Sequence, residues 1–211
     1  MTFDPFGDFA TEGYLRNLAK EKDLAIVRRL EHSSFVTGLE SAFRDLSAAT
    51  TLTYDHVLST HKALFDAIYP WAGQDRLAVL PHHAVTKGEV RFANPADIRR
   101  AVDHALRIGQ DRSVMAARPG EVMGYFAFGH PFLDGNGRTM MVIHSVLAQR
   151  AGLSIDWAKT SKTEYLNALT KEIDEPGAGH LDSYLSRFKG RAFAYDKLAA
   201  EVARAGTSWR C

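Results

Sequence analysis

The chain has 211 residues, 45% hydrophobic and 24% charged, which suits one packed core and at most two small domains. Lys plus Arg total 26 against 25 Asp plus Glu, so there is no global basic field for nucleic acid and no acidic solvating tail. Cys211 is the one cysteine, which excludes an intrachain disulfide and a cysteine-built zinc cage.

The opening, MTFDPFGDFATEGY, lacks the basic and apolar regions of a secretory signal. No apolar run reaches the roughly 18 residues a membrane span needs. A cytoplasmic protein is the expectation, with translocation by a route that uses no classical signal left open. From Leu24, the spacing Leu24, Val27, Leu30, Phe35, Leu39, Phe43 and Leu46 predicts amphipathic helix with a break near Gly38, and N-terminal helices are expected over 14–46. Thr53 opens a second segment with Val57, Leu58, His61, Leu64, Phe65 and Ile68 on one face, ended by Tyr69-Pro70. Leu77–Leu80 and Glu89–Phe92 are short and β-compatible, and with Pro81 and Lys87-Gly88 between them they predict a hairpin. Two strands are marginal alone, so the hairpin must lean on helices. Helical spacing returns at Ile98, Val102, Ala105 and Leu106 after Pro95. Further helices are predicted near 119–129, 136–151, 161–174 and 181–203, with Gly152 as the residue that ends the second of these. No internal repeat or low-complexity linker appears. The expected fold is all-α with one short β-hairpin. It forms a single domain over 1–211, with a core at about 50–190 and a C-terminal helix at 181–203.

The chemistry concentrates in HPFLDGNGRTMM, His130 to Met141. Gly135 and Gly137 allow a left-handed backbone and close approach to a ligand. They sit where the apolar stripe Thr139, Met140, Ile143, His144, Leu147 and Ala151 begins, so free N–H groups and the positive dipole end there suit an anion such as phosphate. The dipole contributes only about 0.3–1 kcal/mol per charge at an exposed site. Arg138 can add a guanidinium fork, and Asn136 an amide donor. Asp134 would repel bare phosphate, but it fits if a divalent cation lies between them. A neutral His130 can take a proton from a hydroxyl. Each part alone is ordinary, since Asp-Gly-Asn-Gly is a good turn without any ligand. Together they suit transfer from a nucleotide phosphate to a protein hydroxyl. His32, His56, His61, His104 and His144 fall on predicted helices as packing or surface residues. His82 and His83 are expected at the hairpin tip, within reach of ligand or target. Trp71 reads as a core anchor. Arg99-Arg100 lacks the interleaved aromatics of a nucleic-acid surface.

HPFLDGNGR resembles the signature of the Fic (filamentation induced by cAMP) family, His-Pro-Phe-x-Asp/Glu-Gly-Asn-Gly-Arg, at every fixed position. YPWAGQDR (Tyr69–Arg76) and TKGEVRFANP (Thr86–Pro95) resemble the family's segments ahead of and within its flap. The resemblance implies Mg²⁺-dependent protein adenylylation: AMP moves from ATP to a Tyr, Thr or Ser hydroxyl of a target protein. It implies His130 as base and Asp134 as metal ligand. Gly135, Asn136 and Gly137 would surround the α-phosphate, with Arg138 on the β-phosphate. The flap, here Lys87, Gly88, Val90 and Phe92, would hold the target by strand-like pairing. Many adenylylating members carry a second arginine where this chain has Met141, so a different donor (UTP, CDP-choline, or ATP in phosphoryl transfer) or a catalytically silent binding domain are the alternatives. The inhibitory pattern Ser/Thr-x-x-x-Glu-Gly/Asn is also missing, so inhibition of that kind is not expected. A separate antitoxin-like partner, or none, is left open. No nucleic-acid or membrane partner is expected.

Overall fold

Helix α1 (Leu24–Ala48) starts where the Asp23 carboxylate accepts a hydrogen bond from the Ala25 N–H at 2.7 Å. The computed structural model describes residues 3–88 and 90–208; Glu89, expected in the second hairpin strand, and Cys211 lie outside them. Helix α1 runs unbroken through Gly38, against the expected break. It crosses α2 (Tyr54–Phe65) so closely there that a Cβ on Gly38 would lie 2.0 Å from the Ala63 carbonyl oxygen. The glycine is a contact point between two helices, not a helix end. Thr53 opens α2 as expected, in a reciprocal cap with His56.

Ahead of α1, Tyr14–Arg16 is one tight turn, not the helix expected from residue 14. Leu15, Arg16 and Lys20 have φ of 50°, 56° and 52°. A left-handed backbone at non-glycine residues cannot propagate a helix and costs about 1–2 kcal/mol per residue. The segment is held by its contacts. Trp71 Nε1 donates to the Leu15 carbonyl at 2.8 Å, and the Leu18 N–H donates to the Ile68 carbonyl at 2.9 Å.

The hairpin exists, but with a different first strand. Arg76–Val79 is a single helical turn capped by Asp75, whose carboxylate accepts from the Ala78 N–H at 2.9 Å. A local cap outweighs the β-compatible side chains of Leu77–Leu80. The strands are β1 (Thr86–Lys87) and β2 (Val90–Arg91), antiparallel, pairing Thr86 with Arg91 and Lys87 with Val90. The tip is therefore at Lys87-Gly88, and His82 and His83 lie before the hairpin. Val85, Val90 and Phe92 form a small cluster against Ile173, the helical support that a two-stranded sheet needs.

Helices α3 (Ile98–Gln110), α4 (Arg112–Ala117), α5 (Pro119–Gly129) and α6 (Asn136–Arg150) follow. Residues Thr139 to Ala148 of α6 are all buried, so the expected apolar stripe is a helix enclosed on every side. Strand β3 (Leu153–Ile155), helix α7 (Lys162–Asp174), helix α8 (His180–Leu185), strand β4 (Lys189–Arg191) and helix α9 (Tyr195–Ser208) complete the chain. The expected helix over 181–203 is thus split. Its middle pairs antiparallel with β3, and Ser154 Oγ donates to the Arg191 carbonyl at 2.7 Å. One apolar cluster extends from Leu15 to Ala205, with α6 at its centre. The architecture is mostly helical with a hairpin flap, as expected, plus a second two-stranded ribbon.

Candidate active site

The signature turn joins α5 to α6. At its start, His130 caps α5 in a left-handed conformation, φ 41° and ψ 57°. Arg76 holds it there. The fully buried guanidinium donates from Nε to the His130 carbonyl and from Nη2 to the Ala93 carbonyl, both at 2.7 Å. The Arg76 N–H also donates to the Pro131 carbonyl at 2.7 Å. One side chain therefore ties the turn to the end of the flap. The pattern of the sequence placed Arg76 in a family block without giving it a role. Its signal was a charged residue that the fold encloses.

The His130 ring stacks on Phe92, with centroids 3.9 Å apart and planes at 14°, and the residue is only 8% exposed. Burial, then the charges of Lys87 and Arg76, hold its pKa well below the usual histidine value. The imidazole is neutral at physiological pH, as the sequence reading required, and it is covered by the flap. Of the expected flap residues, Lys87 and Gly88 are exposed, while Val90 and Phe92 face inward.

At the other end of the turn, Gly135 has φ 75° and precedes the first residue of α6. A Cβ there would lie 2.5 Å from the Phe65 ring, whereas a Cβ on Gly137 would meet nothing within 4 Å. The first backbone bond of α6 runs from the Thr139 N–H to the Gly135 carbonyl, at 3.0 Å. The N–H groups of Asn136, Gly137 and Arg138 have no acceptor among the described residues. They are the free donors of the helix start. The Asn136 side chain differs from expectation. Its Oδ1 accepts from the Phe132 N–H at 2.9 Å and its Nδ2 donates to the Phe132 carbonyl at 2.8 Å. The side-chain amide braces the turn, because the buried Phe132 peptide needs partners, and the free donors at the helix start are backbone N–H groups alone.

Asp134 is the branch point. Its Oδ1 accepts from the Gly135 N–H at 2.6 Å, and its Oδ2 lies 3.5 Å from the Tyr14 hydroxyl. Its carbonyl accepts from His61 Nε2 at 3.1 Å, while His61 Nδ1 accepts from the Gly73 N–H at 3.0 Å. His61 is therefore a packing residue, stacked on Phe132 at 3.7 Å, and burial lowers its pKa to about 3. Arg138 lies 4.6 Å above the Phe65 ring. Its Nη2 is 3.3 Å from Glu31 Oε2 and 3.7 Å from Asp134 Oδ1. Glu31, buried on α1, also accepts from the Tyr69 hydroxyl at 2.7 Å. Burial and the nearby Asp134 raise its pKa, against the pull of Arg138. Neither Glu31 nor Tyr14 was singled out from sequence. Tyr14 lies 120 residues before Asp134 and Glu31 lies on α1, and no local pattern links them to the turn. Met141 is buried in the apolar core.

Residues 51–148 match the Fic/DOC family. The chain belongs to the Fic/DOC family. It is 33% identical over 175 residues to protein adenylyltransferase VbhT of Bartonella schoenbuchensis, covering 78% of this chain and 35% of VbhT. It thus spans about a third of VbhT's length. It is 28% identical over 169 residues to the probable protein adenylyltransferase y4lH of Sinorhizobium fredii, covering 75% of this chain and 83% of that protein. Among solved structures, the N-terminal Fic domain of a Bartonella quintana effector with bound ADP aligns with a TM-score of 0.69 at 21% identity, over 85% of this chain and 92% of that one. BepC of Bartonella tribocorum with bound AMPPNP aligns at 0.62 and 16% identity, over 83% and 91%. These two establish the Fic fold. Among the described residues, no helix is long and apolar enough to cross a membrane.

Proposed function

We propose that this Fic/DOC chain is a protein adenylyltransferase, moving AMP from ATP to a Tyr, Thr or Ser hydroxyl of a target protein. The observation that carries the reading is the start of α6. Three backbone N–H groups without acceptors, the Arg138 guanidinium and a neutral His130 converge on one turn. Relatives named protein adenylyltransferases support it. In this reading the N–H groups of Asn136, Gly137 and Arg138 cradle the α-phosphate, and the Arg138 side chain leaves Glu31 to meet the β-phosphate. The lack of a side chain at Gly137 keeps the approach clear. His130 accepts the proton of the target hydroxyl as that oxygen attacks the α-phosphorus and pyrophosphate departs. The flap must shift Phe92 off the imidazole for the hydroxyl to reach it. Its exposed tip, Lys87-Gly88, and its strand backbone then register the target.

A Mg²⁺ ion fits the residues present. The Asp134 side chain is 34% exposed, and its Oδ2 faces only the Tyr14 hydroxyl. No cluster of three potential metal-ligating side chains exists among the described residues, which suits an ion that takes most of its ligands from phosphate and water. When bound, the ion would neutralise charge on the phosphates, and Asp134 would hold it. A second reading is favoured by Met141. The core encloses the position where many adenylylating relatives carry an arginine, so contact with a third phosphate is reduced and a diphosphate donor such as CDP-choline becomes the rival.

The test is incubation of the protein with Mg²⁺, a lysate and α-labelled ATP, beside His130→Ala. Label on a target band that disappears in the variant is the expected result. Silence with α-labelled ATP together with transfer from γ-labelled ATP would replace nucleotidyl with phosphoryl transfer. Silence with ATP, GTP, UTP, CTP and CDP-choline would leave a binding domain.

A further inference from the structure

The segment Gly13–Asp23 reaches the signature turn through Tyr14, from outside the family-matched region, which begins at residue 51. Four of its residues, Gly13, Leu15, Arg16 and Lys20, have positive φ, and three of these are not glycine. The path is nevertheless fixed at several points. Trp71 Nε1 holds the Leu15 carbonyl at 2.8 Å, and Leu18 bonds to the Ile68 carbonyl. The Asn17 side chain donates to the carbonyls of Tyr14 and Glu21, at 3.0 and 2.8 Å, and accepts from the Glu21 N–H at 2.9 Å. The Tyr14 N–H closes the loop onto the Glu21 carbonyl at 2.9 Å. Backbone strain held by so many contacts marks a segment whose shape matters beyond its own stability.

That shape delivers one polar atom to the signature turn. The Tyr14 hydroxyl lies 3.5 Å from Asp134 Oδ2, the carboxylate oxygen left over after Oδ1 bonds to the Gly135 N–H and faces Arg138. We propose that Tyr14 is a positioning residue of the cation site: presented by the Gly13–Asp23 strap, its hydroxyl orients the Asp134 carboxylate so that one oxygen is directed at a divalent ion on the nucleotide phosphates. The inference rests on the reading of Asp134 given above. Without the hydroxyl, Asp134 Oδ2 has no other side-chain partner among the described residues, and the carboxylate can rotate toward Arg138.

The test compares ATP binding by calorimetry in magnesium and in EDTA, for wild type, Tyr14→Phe, Asp134→Ala and the double variant. Tyr14→Phe keeps the ring and its packing. The expected result is an Mg²⁺ midpoint raised about three- to ten-fold, the effect of one hydrogen bond. Affinity in EDTA should be unchanged, and Tyr14→Phe should add nothing to Asp134→Ala. An Mg²⁺ midpoint equal to wild type overturns the proposal and leaves the adenylyltransferase reading standing. Equal loss in magnesium and EDTA, or full additivity with Asp134→Ala, also overturns it, because the hydroxyl then acts on something other than Asp134. If wild type binds no ATP in either condition, the reading of the site falls, and this inference falls with it.

Discussion

Replacing Glu31 with Gln tests whether Glu31 competes with a nucleotide phosphate for Arg138. The change preserves shape, and the Gln Oε1 can still accept from the Tyr69 hydroxyl, now at 2.7 Å from the carboxylate. What disappears is the negative charge 3.3 Å from Arg138 Nη2. A phosphate that takes Arg138 must displace that carboxylate and leave it buried beside a new anion. A hydrogen bond to a charged group contributes about 1.5–3 kcal/mol, so removing the competitor should tighten MgATP binding roughly ten- to hundred-fold. Calorimetry at neutral pH reads this directly. Stability supplies an independent check on sign. Burial and Asp134 raise the folded-state pKa of Glu31 above its ordinary value of 4.5. A raised carboxylate pKa contributes stability at low pH, where the group is protonated, and loses it as pH rises through the folded pKa. Urea unfolding from pH 4.5 upward should therefore show the variant gaining on wild type as pH increases. Equal or weaker MgATP affinity in the variant, or a stability difference that does not change with pH, would refute the argument that Glu31 is a buried competitor for Arg138.

Other expectations follow from the same geometry. His130→Ala should reduce transfer by about 10²–10⁴-fold, the usual contribution of a general base, with MgATP affinity unchanged by calorimetry. Arg76→Met should lower unfolding free energy by about 3 kcal/mol in urea titration, because the buried carbonyls of His130 and Ala93 lose a charged donor. Lysine at the same position should not restore it, since one ammonium lacks the planar fork that reaches both. Gly137→Ala should leave the melting temperature within a few degrees of wild type and abolish MgATP binding, because its Cβ enters the open cradle. Gly38→Ala should do the reverse. Its Cβ meets the Ala63 carbonyl at 2.0 Å, and about 2 kcal/mol or more of stability should be lost in urea titration.

Much of the helical content was legible because periodicity, caps and breakers are local. Thr53, Pro119 and Gly152 stand where they end or begin helices, and the predicted 119–129 helix matches α5. The errors share a cause. Leu77–Leu80 looks like strand until Asp75 caps it, Gly38 looks like a break until α2 is packed against it, and Lys189–Arg191 looks helical until β3 is beside it. In each case a neighbour outweighed the propensity of the segment. The site divides in the same way. His130, Asp134, Gly135, Asn136, Gly137 and Arg138 share one turn, and that grouping could be read from their spacing. That Asn136 turns its amide inward, and that Phe92 covers the imidazole, could not.

Sequence alone determined the donors, the charges and the helix start that can meet an anion, because these depend on residue type and on spacing within a few turns of backbone. Only the tertiary structure decided which groups surround them. It brought Tyr14 and Glu31 to the turn from the far end of the chain, buried Arg76 between turn and flap, and enclosed Met141. The physical reason is that burial and contact between distant segments set the charge state and freedom of each group, and neither is encoded in spacing along the chain.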